Sequence, residues 1–418
     1  LDAALSYGSN DATLTLTRNA TDFADVAQST NQSATAGAVE SLGSGNAVYD
    51  AIVVLDDETA ATAFQQLSGE VYGQSMSASL ENSGLIRSLG GNRMRSAFGS
   101  VGAGQSNVVS LGSGSSSALA YGEEKAKTPA ELAAESILAT PENNGPVAWA
   151  EAYGGWGKSF GENGDADLSN SIGGIAFGID TALGDTSWRL GVLGGYGAAS
   201  FELSDGLSSG DSDDFDIGIY GGNQWGPLAL RFGALYNHQQ VSTERTVDFG
   251  GFSDQLSADY GTNTVQAFAE LGYEIKVRDV RLEPFVNLAQ VHMHTPAFTE
   301  EGGAASLSRQ ASDMNLTFTN LGLRAATELA LAGVSATVRG AAGWQHAFGD
   351  TETASTLSFA GGSDFVTSSK TAAENSLVLQ AGIDMPIGAM ATVGIGFDGN
   401  YSNRGNAQSL KLNFQKQF

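Results

Sequence analysis

The chain has 418 residues, no cysteine and a formal net charge of −26, and it contains 55 glycines. The acidic balance argues against a nucleic-acid partner, because phosphates require a basic surface. No run of about 18 apolar residues occurs, which excludes a transmembrane helix. The glycines lack a three-residue register, which excludes a collagen-like fold.

The first part of the chain predicts one short strand followed by helices. Residues 12–19 alternate like a strand that ends in a turn. Asp56 or Asp57 suits a helix N-cap, and Gly69 suits a break between two helices. No basic and apolar leader begins at Leu1, so we expect a fragment of a longer precursor. The helical segments are residues 31–42, 46–55, 57–67 and 70–94.

A stretch rich in Gly, Ser and Ala follows at residues 99–127. It has too little apolar material to offset the entropy of ordering the chain, so we expect a linker. Thr128 then suits an N-cap and Pro129 the first helical position, with Glu131 at the third. This pattern predicts a short helix over residues 128–139.

From residue 147 to the end, segments of roughly 10 to 18 residues alternate between apolar and small or polar side chains. In residues 227–241, for example, Leu228 and Leu230 fall on one face while Arg231 falls on the other. The pattern predicts an all-β transmembrane barrel of about 12 antiparallel strands, with a helix inside it and a mainly helical region before it.

The connections between these segments alternate in length, which is typical of outer-membrane barrels with short periplasmic turns and long outer loops. Tight turns are expected near residues 184–186, 225–227, 277–279, 331–333 and 386–388. Longer loops are expected at residues 161–168, 204–211, 242–257, 297–310, 349–371 and 402–406.

The last nine residues alternate and end on an aromatic side chain. This ending resembles the C-terminal recognition signal of bacterial outer-membrane proteins. Lys416 departs from the pattern, but its stem can follow the apolar band while its ammonium reaches the interface. The residues that would form the signal are Leu410, Leu412, Phe414 and Phe418.

Several stretches resemble the translocator end of a monomeric autotransporter, of the type V secretion class. Residues 148–157 resemble the first barrel strand of that family, and residues 344–350 resemble a late strand. Residues 249–256 and 298–303 resemble its loops, and residues 58–95 resemble the helical region before many of these barrels. The resemblance implies a twelve-stranded barrel that exports an upstream passenger and keeps a helix in its pore.

Alternation places a mixed set of charges on the luminal wall, where they would solvate a passing chain or pair with one another. Two segments are candidates for the pore helix: residues 128–139 adjoin the first strand, whereas residues 70–94 are longer. The expected lining residues are Glu151, Asp180, Asp216, Arg231, Glu270, Arg324, Glu328, Arg339 and Asp384.

Some members of the family cleave themselves in the pore at an Asn-Asn pair. Asn143 and Asn144 form such a pair but lie too close to the first strand, so we expect no cleavage. His292 and His294 share a strand face, but a dedicated metal site is not expected from so few histidines. A further hypothesis is that Asp211, with the two aspartates at 213 and 214, binds divalent cations at the outer rim.

We therefore expect three parts: the end of a passenger with a helical region at residues 1–98, a linker with the pore helix at 99–146, and the barrel at 147–418. The expected function is a non-enzymatic translocator in the bacterial outer membrane. Its expected partners are outer-membrane lipid and lipopolysaccharide, the barrel assembly machinery and its own passenger. We expect a monomer with no cofactor, metal or nucleic acid. A surface adhesin and a simple pore are the alternatives.

Overall fold

The computed structural model describes residues 1–103, 107–110, 145–161, 165–184, 186–331, 334–387 and 391–416. The chain begins with a two-stranded hairpin of β1 (Asp2–Tyr7) and β2 (Ala12–Thr17). The strand expected near residue 12 is thus β2. The sequence reading missed β1.

Four helices follow the hairpin, as expected: α1 (Thr30–Leu42), α2 (Ala47–Ile52), α3 (Asp57–Leu67) and α4 (Val71–Ala97). Asp56 is the N-cap of α3, because its side chain accepts the Thr59 N–H at 2.8 Å. Gly69 separates α3 from α4 with a φ of +64°, a conformation that side chains other than glycine rarely adopt.

A 3-10 helix (Phe23–Val26) precedes α1, and the described elements after α4 are all strands. In chain order they are β3 (Asn107–Ser110), β4 (Val147–Ser159), β5 (Leu168–Ala182), β6 (Arg189–Leu203), β7 (Ser208–Trp225), β8 (Leu228–Phe249), β9 (Phe252–Tyr273), β10 (Ile275–Val277), β11 (Val280–Thr295), β12 (Phe298–Thr299), β13 (Leu307–Arg309), β14 (Ser312–Leu331), β15 (Val334–Gly349), β16 (Glu352–Phe359), β17 (Phe365–Lys370), β18 (Asn375–Pro386), β19 (Ala391–Ser402) and β20 (Gly405–Lys416).

Twelve of these strands form a closed antiparallel barrel, which confirms the expected fold class. Neighbours in the sequence are neighbours in the wall, and β20 closes the barrel by pairing Leu412 with Ala152 of β4 and Gly405 with Ser159. Closure removes the unpaired strand edges that a bilayer would not tolerate. The strands of the barrel are β4, β5, β6, β7, β8, β9, β11, β14, β15, β18, β19 and β20.

The seam between the first and the last barrel strand contains one further strand. β3 pairs antiparallel with the beginning of β4, from Val147 to Ala150. β20 pairs with β4 only from Ala152 onward. The segment before the barrel therefore completes the hydrogen bonding of β4 at this end of the seam.

The long outer loops contain more strand than the sequence analysis predicted. Residues 242–257 were expected to be a loop, but β8 and β9 continue through them and meet at a turn of Gly250 and Gly251. The prediction was wrong because inward and outward side chains keep alternating here, with Val247 and Phe249 buried. Two other expected loops supply β12, β13, β16 and β17, which form a separate four-stranded sheet.

Two clusters of buried apolar residues organise the interior. One joins α1, α2 and α3 to the outer sheet and to the inward faces of the outer strand ends. The other joins α4 to the inward face of the barrel wall. Within the described residues, no helix combines the length and apolarity needed to cross a bilayer.

Candidate functional site: the luminal helix and its charged wall

Helix α4 lies inside the barrel, and each of its residues is buried or half-buried. It has 27 residues, which corresponds to about 40 Å and exceeds the roughly 25 Å apolar band of an outer-membrane barrel. Its first turn packs Tyr72 against Phe298 at the outer loops. Beyond its last turn, the Gly99 carbonyl accepts a hydrogen bond of 2.9 Å from Arg281, close to the tight turn at residues 278–279. The helix thus runs from the outer rim to the periplasmic rim.

The structure describes one of the two candidates for the pore helix. The longer candidate, residues 70–94, corresponds to α4, which lies in the lumen and belongs to the first of the three expected parts, residues 1–98. The shorter candidate, residues 128–139, lies outside the described residues, as does the pair Asn143 and Asn144. The boundary expected after residue 98 therefore falls just after the last residue of α4, Ala97.

Small side chains let α4 approach the wall closely. A Cβ on Gly73 would lie 2.5 Å from the Ser369 hydroxyl, so a larger residue would force the helix away from β17. A Cβ on Gly90 would already touch Leu193 of β6 at 3.5 Å. The Gly- and Ser-rich sequence of α4, which disfavours an isolated helix, therefore suits a helix packed inside a barrel.

Asp180 of β5 is the centre of a buried group of charges near the inner end of α4. Arg93 of α4 donates two hydrogen bonds to its carboxylate, at 2.6 and 2.9 Å. Arg189 of β6 also pairs with it, and Tyr220 donates a hydrogen bond of 2.8 Å. Trp149 of β4 donates to the Tyr220 hydroxyl at 2.5 Å. One helix residue is thereby linked to four strands of the wall.

A second charged group joins α4 to the opposite side of the wall. Arg231 and Arg324 each bridge Glu270 and Glu283, with distances between 2.7 and 3.1 Å. Arg95 of α4 adds a contact of 3.2 Å to Glu270. Breaking such a buried pair leaves an uncompensated charge, which costs about 3–5 kcal/mol. Three arginines against two carboxylates leave a surplus of positive charge in this group.

Weaker polar contacts join the middle of α4 to β7, β8 and β9. Ser79 donates a hydrogen bond to Gln239, and Asn82 donates to Asp214 at 3.4 Å. Gln266 donates to the Ser83 carbonyl at 2.9 Å. On the other side of the helix, Lys411 of β20 contacts Ser88 at 3.2 Å. It also pairs with Asp398 at 2.7 Å.

The structure places most of the expected lining residues on the inward face. Arg339 is partly buried in an ion pair with Asp384, and Asp216 accepts a hydrogen bond of 3.0 Å from Asn237. Glu328 is different: it has the inward parity of β14 but is exposed, because it lies near the periplasmic end of that strand. The buried residues from the expected set are Glu151, Asp180, Asp216, Arg231, Glu270, Arg324 and Asp384.

Several residues that hold α4 were not predicted. Glu283 was missed because Pro284 interrupts the strand signal, although its inward parity in β11 was readable. The helix residues Arg93 and Arg95 carried a signal, since charged side chains in a helix rich in small residues require partners once the helix is buried. The outer-rim pair of Arg245 and Glu300 lies in two segments that were taken for loops.

The outer end of α4 carries an acidic pair above the barrel strands. Glu70 accepts a hydrogen bond of 2.7 Å from Gln65, and Asp165 accepts one of 3.3 Å from Asn31. Burial and the neighbouring Asp165 raise the pKa of Glu70 to about 9. Burial also raises the pKa of Asp165. Glu70 is therefore protonated at neutral pH when this contact is formed.

Two expected features remain, the C-terminal signal and the cation hypothesis. Leu410 and Leu412 of the C-terminal signal are exposed on β20, whereas the Phe414 side chain and Phe418 lie outside the described residues. The three aspartates of the cation hypothesis do not converge: Asp211 and Asp213 are exposed, but Asp214 is buried against α4. That hypothesis is not supported by their placement.

All four histidines of the chain lie on the outward face of the barrel. Each has its Nδ1 within 2.7–2.9 Å of an Asn or Asp oxygen on a neighbouring strand. On each strand, the histidine lies toward the outer end of the apolar outward face. His292, for example, is four residues beyond the exposed Leu288. We call His238, His292, His294 and His346 the histidine belt.

Comparison with known proteins supports an assignment to a family. A family profile described as "Autotransporter beta-domain" matches residues 148–398, which cover most of the barrel. The chain belongs to the autotransporter family. This confirms the resemblance read from the sequence, and its barrel is accordingly a translocator domain in the bacterial outer membrane, which exports the passenger to the cell surface.

Two relatives and one solved structure extend the comparison. Two proteins named "Extracellular serine protease" from Serratia marcescens are each 31% identical to this autotransporter, over 99% and 85% of the chain. The chain spans only 40% and 31% of their lengths. The translocator domain of the autotransporter NalP from Neisseria meningitidis has the same fold, with a TM-score of 0.53 and 17% identity over 69% of this chain and 94% of that one.

Proposed function

We propose that α4 is the last segment of the exported chain and stays in the barrel as a plug when export is complete. The observation that supports this proposal is the direction of α4. Its first residues lie at the outer loops and the residues after it lie at the periplasmic turns. A chain that leads from the cell surface back to the first barrel strand has to cross the lumen in this direction.

Surface accessibility tests the proposal. A signal peptide and an epitope are placed before Leu1, and a second version of the protein carries the epitope in the tight turn at residues 226–227. On intact cells, protease should remove the first epitope and leave the second, because the two lie on opposite sides of the outer membrane. Protection of the first epitope in an inserted barrel would refute export and favour a simple pore.

The same proposal extends to the outer-leaflet lipid. The histidine belt and its Asn and Asp partners follow the apolar band, where phosphate and sugar headgroups of lipopolysaccharide would lie. The chain has only four histidines, so selective isotope labelling gives a simple spectrum. Their ring signals should shift when lipopolysaccharide replaces phosphatidylcholine in bicelles. Unchanged signals would exclude headgroup contact by the belt.

A further part of the proposal concerns the barrel assembly machinery. The exposed leucines at 410 and 412 belong to an alternating run with Phe414 and Phe418, which is the pattern expected of a recognition signal. Deleting Phe418 should reduce the amount of inserted barrel in cells while leaving refolding in detergent intact. Equal insertion of both forms would argue against recognition through this residue.

We also propose that residues 1–418 carry no catalytic activity. The Serratia marcescens relatives are named as proteases, but the chain spans less than half of their length. Any protease activity of the whole protein would reside in a passenger outside these residues. The refolded chain should therefore not react with a fluorophosphonate probe for active serines, and labelling of the chain would refute this assignment.

A further inference from the structure

The pore helix does not fill the lumen by itself. Polar contacts and close packing hold α4 against β6, β7, β8 and β9. On the other side, a cavity of about 330 Å³ lies between α4 and the wall, lined mainly by β14, β15, β18, β19 and β20. Apolar and polar side chains both line it, and the polar ones can hold water. These include Glu81, Asn320, Gln345, Asn400 and Gln408.

This cavity continues to the outer end of the barrel. Its lining includes Thr371 and Ala372, which directly follow β17. Water and small hydrophilic solutes could therefore enter the space beside the helix from the outer side unless something covers its outer mouth. The segment that lies there is the helical region before α4.

The outer cap, which we define as residues 22–70, covers this mouth through an apolar core. Phe64 and Leu67 of α3 are fully buried together with Val247 and Phe249 from the outer ends of β8. The turn of the β8–β9 hairpin packs closely against the cap. A Cβ on Gly250 would overlap the end of the Leu55 side chain, and the φ of +54° at this position also favours glycine.

Hydrogen bonds tie the outer cap to the sheet above the cavity. The Asn31 side chain makes two bonds to the backbone of Ser368 in β17, at 2.9 and 3.0 Å. The Ser363 N–H donates to the Ser41 hydroxyl at 2.8 Å. A further bond of 2.8 Å joins the Asp248 N–H to the Gln66 side chain. The cap is therefore fixed on two sides of the mouth.

We propose that the outer cap seals the barrel against small solutes, because α4 alone leaves a cavity beside it that reaches the outer end of the barrel. The helical region then has a function of its own in the finished protein: it restores the permeability barrier of the outer membrane. The seal is a property of the folded chain. Its test therefore does not depend on how the passenger is exported.

Ion conductance of the refolded full chain in planar bilayers tests the seal. Ala63 is completely buried in the cap, so Ala63→Arg should undock the cap. The substitution changes no residue of α4 or of the barrel strands. The adjacent Thr62 is exposed, and Thr62→Arg is the matched control. We expect a severalfold higher conductance for Ala63→Arg and an unchanged low conductance for Thr62→Arg. A difference in gel migration between heated and unheated samples confirms that both barrels are folded.

A reversible tether gives a second, independent result. The chain has no cysteine, so Ser41→Cys with Ser363→Cys provides one disulfide between the cap and the outer sheet. In the Ala63→Arg background, oxidation should restore the low conductance and reduction should raise it again. Equal conductance of Ala63→Arg and Thr62→Arg would overturn the proposal, and so would a conductance that ignores the state of the tether.

Discussion

The outer and the inner half of the lumen hold α4 by different interactions. At the outer mouth, the contacts are mainly apolar and involve α1, α2 and α3 as well as the first turn of α4. In the inner half, the decisive contacts are buried ion pairs from Arg93 and Arg95 to carboxylates of the wall. Apolar burial is tolerant of small shifts, whereas bidentate ion pairs require one position of the helix.

This difference suits the order in which the parts would have to come together during export. A charged wall solvates a polar chain while it moves, and the arginines of α4 find their partners only when the helix reaches its final depth. The apolar outer cap can then close over it without specifying that depth. The inner half therefore positions the helix, and the outer half closes the mouth of the barrel.

The largest effect is expected when Asp180 is removed. Asp180→Ala leaves Arg93 and Arg189 without their shared carboxylate, which should destabilise the docked helix by about 3–5 kcal/mol. Native-state hydrogen exchange of the α4 amides measures this loss. Glu328→Ala serves as the control, because that carboxylate is exposed. Unchanged protection in Asp180→Ala would mean that the ion pairs do not position α4.

A smaller loss is expected at the outer cap. Leu67 is fully buried, and Leu67→Ala should destabilise the cap by about 3 kcal/mol through lost burial and a cavity. Exchange should accelerate in α1 and α3 and remain slow in the inner half of α4. The matched control is Val54→Ala at an exposed cap position. Equal acceleration along all of α4 would show that the two halves are not separate.

The pH dependence of the two halves should also differ. Burial raises the pKa of Glu70 to about 9, so docking of the cap takes up a proton. The stability from this group is complete below its unfolded pKa and declines as the pH rises toward 9. Between pH 7 and pH 8 the cap should therefore lose up to about 1.4 kcal/mol. Glu70→Gln should remove that loss, and a slope that persists in Glu70→Gln would contradict this cause.

The barrel itself was predictable from the sequence, because alternation assigns every strand residue to one of two faces. This is why Asp180, Arg231 and Glu270 could be placed on the luminal wall from their parity alone. Parity does not say where a strand leaves the membrane, so Glu328 was included although it lies near the end of β14. The alternation also continues through residues 242–257, so the prediction of a loop there had no support from parity.

The partners of the wall charges could not be predicted in the same way. Arg93 and Asp180 are 87 positions apart, and only the threading of α4 through the closed barrel brings them together. Nor does local sequence choose between two possible pore helices. The choice depends on whether the small residues of α4 fit against the wall, and that fit is a property of the assembled barrel.

The smallest expected effect concerns the start of α3 in the outer cap. Asp56 accepts the Thr59 N–H and thereby satisfies one free donor of the first turn, so Asp56→Ala should destabilise α3 by less than Leu67→Ala does. Its hydrogen bond lowers the pKa of Asp56, and the cost should therefore shrink in acid, where the carboxyl is protonated in both the folded and the unfolded chain. Asp57→Ala, one position later, is the control. Exchange in α3 measures both, and a loss in Asp56→Ala that is undiminished in acid would indicate a packing defect in the cap rather than a lost N-cap.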